Sequence, residues 1–274
     1  MRIDAFKAII ADMLKTNANV ERASLEDMAM LSMEVGRLLM ESGASARIVD
    51  DYVARTARGL GAERIDLRVG YASLAITIGI GGEGITRMRK VGHLGVNQRL
   101  DQALRKLSYR VERGELGVSG IRAELERLPR ETPRHPGWLV DIAVGVACAS
   151  FGRLLGVDWL GVGPIFAGAT IAQSFRRRMV ARHVNVFINA VMVAAIASLL
   201  GGWGARRLGS STVDIAMISS VLLLVPGIPS LNAQNDILEG RPTLGSARAV
   251  TVLIILIFLT AGLWLSQIIL GEGN

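Results

Sequence analysis

Two rhythms of apolar residues run through the first half of the chain. In "SLEDMAMLSMEVGRLLMESGAS" (24–45), Met28, Leu31, Val35, Leu38 and Leu39 recur at helical spacing, behind a Ser24/Asp27 capping pattern and ahead of Gly43. A second helix is predicted over about 46–59, with Ile48, Val49, Tyr52, Val53 and Thr56 on one side and Gly61 as its stop. The period then shortens to two. Ile65, Leu67 and Val69, then Leu74, Ile76 and Ile78, stand at every second position, and "EGITRMRKV" (83–91) alternates after the turn "GGEG", so a hairpin-containing sheet is predicted. Helices follow over about 97–112, on Leu100, Leu104, Leu107 and Val111, and over about 119–128; Pro129, Pro133 and Pro136 then mark a linker. The pattern describes a small cytoplasmic α+β domain over 1–136. Its opening, "MRIDAFKAIIADMLK", reads as an amphipathic helix with acids in it, not as a cleavable signal.

From Trp138 the polar face disappears. The run "VTVLIILIFLTAGLWLSQIIL" (250–270) carries no charge and exceeds the roughly 20 residues that cross a bilayer. Five spans are predicted, at about 138–155, 157–175, 184–202, 213–231 and 247–270, all helical because lipid leaves an open backbone unsatisfied. The fold class expected is therefore an α-helical integral membrane protein, five transmembrane helices preceded by the α+β domain, with 137–274 as the membrane domain. Arg176, Arg177, Arg178 and Arg182 follow the second span and Arg241 and Arg248 follow the fourth, which places the N-terminus in the cytoplasm and the C-terminus outside.

Composition narrows the chemistry. The net charge of +7 is spread through interleaved acids and bases and through loops, with no aromatic-basic stripe, so no nucleic-acid partner is expected. The single cysteine, Cys148, and three scattered histidines offer neither a disulfide nor a metal cluster. "GIGGEG" (79–84) has dinucleotide-loop spacing, but a strand pattern follows where a helix is needed, so it reads as a hairpin turn. No phosphate-binding loop of Walker type and no nucleophile-base constellation appears. Neither an enzyme nor a cofactor is expected.

The candidate substrate or ion pathway lies in polar residues within the spans. In "LLLVPGIPSLNAQND" (222–236), Pro226, Gly227 and Pro229 make a kink or unwound stretch, and Asn232, Asn235 and Asp236 follow it. Two outcomes stand open: a broken helix lining a passage, as in many transporters, or a span that ends in a wet cytoplasmic loop. Asn185 and Asn189, four apart, are expected on one helix face; Asp141 and Asp214 lie near span ends. Gly161, Gly168 and Ala169 are expected to be close-packing points between helices.

The stretches "LLMESGASARIVDDYVARTARGLGAERIDL" and "PGIPSLNAQNDILEGRPTLGSARA" resemble the threonine/serine exporter family, over about 25–270. Glu41, Ser42, Gly43, Ala44 and Arg47 carry the first motif; Pro226, Gly227, Pro229, Asn232, Asp236, Gly240, Gly245 and Arg248 carry the second. The resemblance implies a secondary exporter of threonine, serine or, in two-subunit forms, succinate-like dicarboxylates. A chain ending after five helices is similar to the larger subunit of the split form. That implies a small all-membrane partner subunit, a hetero- or homo-oligomer in the bacterial inner membrane, a lipid bilayer and a small-molecule substrate. The rival reading is a membrane-anchored sensor or scaffold whose cytoplasmic domain is the working module. No lysine follows Lys106 and each later arginine falls at a predicted span end, which favours a zwitterionic cargo unless the partner brings positive charge.

Overall fold

The computed structural model describes residues 24–92, 94–132 and 135–271; the N-terminal amphipathic pattern, His93, Pro133 and residues 272–274 lie outside them. The described chain forms two compact units. One holds the residues up to Thr132 together with Asn232–Ser246; the other holds the rest.

In the first unit, α1 covers 24–41, α2 Ala46–Gly59, β1 Arg64–Val69, β2 Ser73–Ile80, β3 Glu83–Lys90, α3 Gln98–Glu112 and α4 Val118–Glu131. The strands form an antiparallel meander, β1-β2-β3, with Leu67 opposite Ile76 and Ile78 opposite Ile85. The alternation that announces the strands sorts their faces: Leu74, Ile76 and Ile78 of the central strand are fully buried and join Val35, Leu39, Val49, Val53, Leu104, Leu107 and Val111 in one core. The "GIGGEG" stretch is the β2-β3 hairpin. Gly79 pairs with Gly84, and Gly81 opens the two-residue loop at φ 57°, a conformation glycine reaches without steric cost. One boundary differs from the sequence reading: α4 runs through Pro129 to Glu131. A proline in a last turn forfeits a single backbone bond, and the Thr132 N–H still reaches the Leu128 carbonyl at 2.9 Å.

Asn232–Ser246 joins this unit, whereas the sequence pattern had placed it in the membrane domain. The helix α2 has no side-chain cap at Ser45 and no acid in its first turn. The missing acceptor arrives from far along the chain: the Ala46 N–H donates to Oδ1 of Asp236 at 3.3 Å, and Asp236 is fully buried. One turn earlier Asn232 Nδ2 donates to the Gly43 carbonyl at 3.1 Å, and Arg241 holds Asp50 at 2.6 Å. Burial pushes the Asp50 carboxyl above its ordinary range, against the pull of Arg241. Gly43 is confined twice over, by φ 95° and by the Gly95 carbonyl, which a Cβ would meet at 2.9 Å. Glu41 completes the joint, accepting from Arg37 Nη1 and from the Gly92 N–H, both at 2.8 Å.

The second unit contains α5 Gly137–Leu154, α6 Trp159–Ala181, α7 Val186–Arg207, α8 Val213–Val221 and a 3-10 turn Leu222–Leu224. It also holds the start of α9 Gly227–Leu238 and most of α10 Pro242–Leu270. Among the described residues three helices, α5, α7 and α10, are long and apolar enough to cross a membrane, where the sequence pattern suggested five. The apolar run of α6 is diluted from Gln173 onward by Ser174 and Arg176 to Arg178. The expected fourth span is two helices. Val225 adopts an extended conformation (φ −60°, ψ 100°) before Pro226, as a residue preceding proline prefers. The helix restarts at once at Gly227 because Pro229 falls in the first turn of α9, where no N–H is needed. The unwound stretch is therefore confined to 222–226, and Asn232, Asn235 and Asp236 stand on a helix rather than in an open segment.

Small residues let these helices meet. A Cβ on Gly168 would lie 2.9 Å from the Ala197 carbonyl, and one on Gly262 would lie 2.4 Å from the Val191 carbonyl. Ala169 is buried, and Ser198 and Ser266 bond across α7 and α10 at 2.7 Å.

Two outcomes follow. Asp236→Ala removes a cap worth about 1–2 kcal/mol, so amide exchange at the start of α2 should quicken roughly tenfold, while exposed Asn235→Ala should leave it unchanged; hydrogen-exchange mass spectrometry of the two variants reads both. Gly262→Ala should cost about 1–3 kcal/mol in a detergent melting assay, whereas Gly163→Ala, with open space at its Cβ, should be neutral or gain up to about 1 kcal/mol.

Candidate functional site

The residues singled out in the sequence separate into four groups: the α9 face, the break before it, the helix ends and a buried pair. Asn232 and Asp236, four apart on α9, share the face that holds the Gly43–Ala46 backbone, while Asn235 points elsewhere and is exposed. Pro226 and Gly227 form the break, and Pro229 belongs to the helix after it. Asp214 is exposed in the first turn of α8, where its charge faces the positive end of the helix dipole. Asn185 does not share a face with Asn189, because it precedes α7 as its cap and accepts from the Phe187 N–H at 2.8 Å.

Asp141 and Asn189 form the fourth group. Asp141 is buried on α5 and takes a two-pronged hold from Arg177 of α6, Nε to Oδ1 at 3.1 Å and Nη2 to Oδ2 at 2.5 Å. Asn189, 4 % exposed, donates from Nδ2 to the Arg176 carbonyl at 3.4 Å, and its Oδ1 is buried without a partner among the described residues. One helical turn from these groups, α5, α6, α7 and the end of α8 wall a small cavity of about 10 Å³, where Val144, Cys148, Gln173, Val193, Ser220 and Leu224 meet. Asp141 stands one turn before Val144, Arg177 one turn after Gln173, and Asn189 one turn before Val193, so all three sit at the same end of that cavity. Leu224 brings the Pro226 break to the same level. Ser219, on α8, carries a second buried oxygen with no partner among the described residues.

Gln173 and Asp158 were not picked out from the sequence, and Arg177 and Arg248 were read there for orientation and, for Arg248, the family motif, but not as site residues. Gln173 lines the cavity and makes no hydrogen bond among the described residues; its only signal was an amide inside "FAGATIAQSF" at i−4 from an arginine. Asp158 caps α6, accepting from Gly161 N–H and Ser210 Oγ at 2.9 Å each and from Ser211 N–H at 2.8 Å, and so ties α6 to the loop before α8. An acid just ahead of a helix is a readable capping signal. Arg248 is 6 % exposed and lies in the second turn of α10, at the start of the part of that helix that belongs to the second unit. Among the described residues no group of three or more His, Cys, Asp or Glu side chains is placed to hold a metal.

A family model described as "Putative threonine/serine exporter" matches residues 30–269. The chain is 30 % identical over 219 residues to the "Probable succinate transporter subunit YjjP" of Escherichia coli (strain K12), covering 80 % of this chain and 85 % of that protein. It is 28 % identical over 229 residues to the protein of the same name from Klebsiella aerogenes, covering 83 % and 88 %. An "Uncharacterized protein" of Haemophilus influenzae is 24 % identical over 128 residues, covering 47 % and 42 %. No solved structure matches. With the match spanning both units and both motif stretches, the chain is a membrane protein belonging to the threonine/serine exporter family.

Proposed function

We propose that the chain is one subunit of a secondary exporter of small polar metabolites, threonine- or serine-type amino acids or succinate-like dicarboxylates, in the bacterial inner membrane. The observation that supports it is a layer of charged and amide side chains, Asp141, Arg177 and Asn189, set one helical turn from a cavity between otherwise apolar helices. Polar groups are costly inside a bilayer and mark pathways when they face the interior of a bundle. The word "subunit" in the names of the relatives fits a second membrane chain as partner, and the basic residues after α6 fit an N-terminus on the cytoplasmic side. On this reading α6, and α8 together with the start of α9, complete five passages with α5, α7 and α10. Asp214 and Asn185 serve helix ends rather than cargo. Asn232 and Asp236 brace the cytoplasmic domain.

Cells loaded with labelled serine, threonine or succinate should release at least one of them several-fold faster when this chain and a co-purifying small membrane protein are both produced. Equal release of all three with and without the pair overturns the proposal.

A further inference from the structure

Resting on that reading, we infer that Arg177, Asp141, Gln173 and Asn189 form a carboxylate-recognition gate, in which the carboxylate of the cargo takes the place of Asp141 on the Arg177 guanidinium. The geometry has three parts. The first is an exchangeable ion pair: Asp141 is buried, with 7 % of its side chain exposed, but Arg177 keeps 47 % of its side chain open, so an incoming anion can reach the guanidinium while the old pair still holds. The guanidinium fork accepts any carboxylate in the same two-pronged manner, and one carboxylate for another leaves the charge count on the arginine unchanged. Breaking the pair leaves Asp141, its buried member, uncompensated, which is strongly unfavourable, so Asp141 takes up a proton from water as the cargo carboxylate replaces it. An anion arriving together with a proton is thus the ligand that opens this contact at least cost.

The second part is unused hydrogen-bonding capacity beside the pair. The Gln173 amide lies one turn from Arg177 and is without a partner among the described residues, and Asn189 Oδ1, held next to α6 through the Arg176 carbonyl, is buried and unpaired. Buried polar atoms are nearly always satisfied, so the Asn189 oxygen marks a place where a partner arrives, and the half-buried Gln173 amide adds open capacity on the cavity wall. Here they offer a donor-acceptor pair and an acceptor to the hydroxyl, amine or second carboxyl of a small acid. The third part is closure. The cavity beside the gate measures about 10 Å³, room for about one water molecule and too little for a small acid, and the Asp141–Arg177 contact ties α5 to α6 at that end. Freeing Asp141 releases that tie.

The test uses the full chain purified with its co-purifying partner. Melting temperature is followed against succinate, serine and ethanolamine, the last being serine without its carboxylate, and Cys148, the chain's one cysteine and part of the cavity wall, is labelled with N-ethylmaleimide under the same titrations. Succinate or serine should raise the melting temperature and slow Cys148 labelling, and ethanolamine should do neither. Arg177→Gln should raise the half-effective concentration at least tenfold and Arg177→Lys less. Gln173→Leu should raise it several-fold. Asp141→Asn, which weakens the competing hold on Arg177, should lower it several-fold, an effect that a purely structural ion pair does not produce. Equal effects of ethanolamine and serine, an unchanged Arg177→Gln, or weaker binding in Asp141→Asn each overturn the gate. Efflux by wild type without any carboxylate effect on melting or labelling overturns the gate and leaves the exporter standing; carboxylate effects without efflux do the reverse.

Discussion

A single carboxylate, that of Asp236, settles how the N-terminal unit is assembled. The first turn of α2 presents N–H groups that nothing nearby accepts, since Ser45 does not cap it and no acid follows in that turn. A helix end buried without acceptors is unstable. Asp236 supplies the acceptor, and in doing so fixes the second half of α9, the turn at Gly240 and the start of α10 against a domain encoded almost two hundred residues earlier. The two motif stretches that carry the family resemblance are thus one physical object. Gly43 and Ala46 provide the backbone; Asn232 and Asp236 provide the side chains.

In the membrane-type unit a different constraint operates. Apolar helices gain little from hiding apolar surface in an apolar solvent, so close contact and hydrogen bonds must hold them. Glycine and alanine at the contacts bring backbones within reach, and serines such as Ser198 and Ser266 bond across. Against that tight background the groups left without partners stand out, because Asn189 and Ser219 are buried in a unit that is otherwise well satisfied.

Much of this was legible in the sequence. The alternation of Leu74, Ile76 and Ile78 located the central strand, the two-helix start of the domain was written in its periodicity, and the hairpin at Gly81 followed from the lack of a helix after the glycines. Pro226 gave the break to within a residue. What escaped was everything that depends on long-range partners. Nothing local distinguishes a carboxylate that lines a passage from one that caps a helix across the chain, so Asp236 was found and its neighbours were not. Gln173 escaped because one amide in an apolar run carries meaning only once its surroundings are known to offer it no partner. Three of the five predicted spans are helices long and apolar enough to cross a membrane, and the run read as one broken span is a pair of helices because Pro229 is compatible with the first turn of α9.

The cap on α2 also imposes an order of events on the ribosome. Ala46 and Asp236 are 190 positions apart, and at a synthesis rate of about 5–20 residues per second the gap lasts roughly 10–40 s. During that interval α5 to α8 emerge while the domain ahead of them waits with one helix end unsealed. Maturation of the N-terminal unit is therefore timed by the elongation of segments that are not part of it, and a nascent chain stalled before α9 carries a domain that lacks its last fastening.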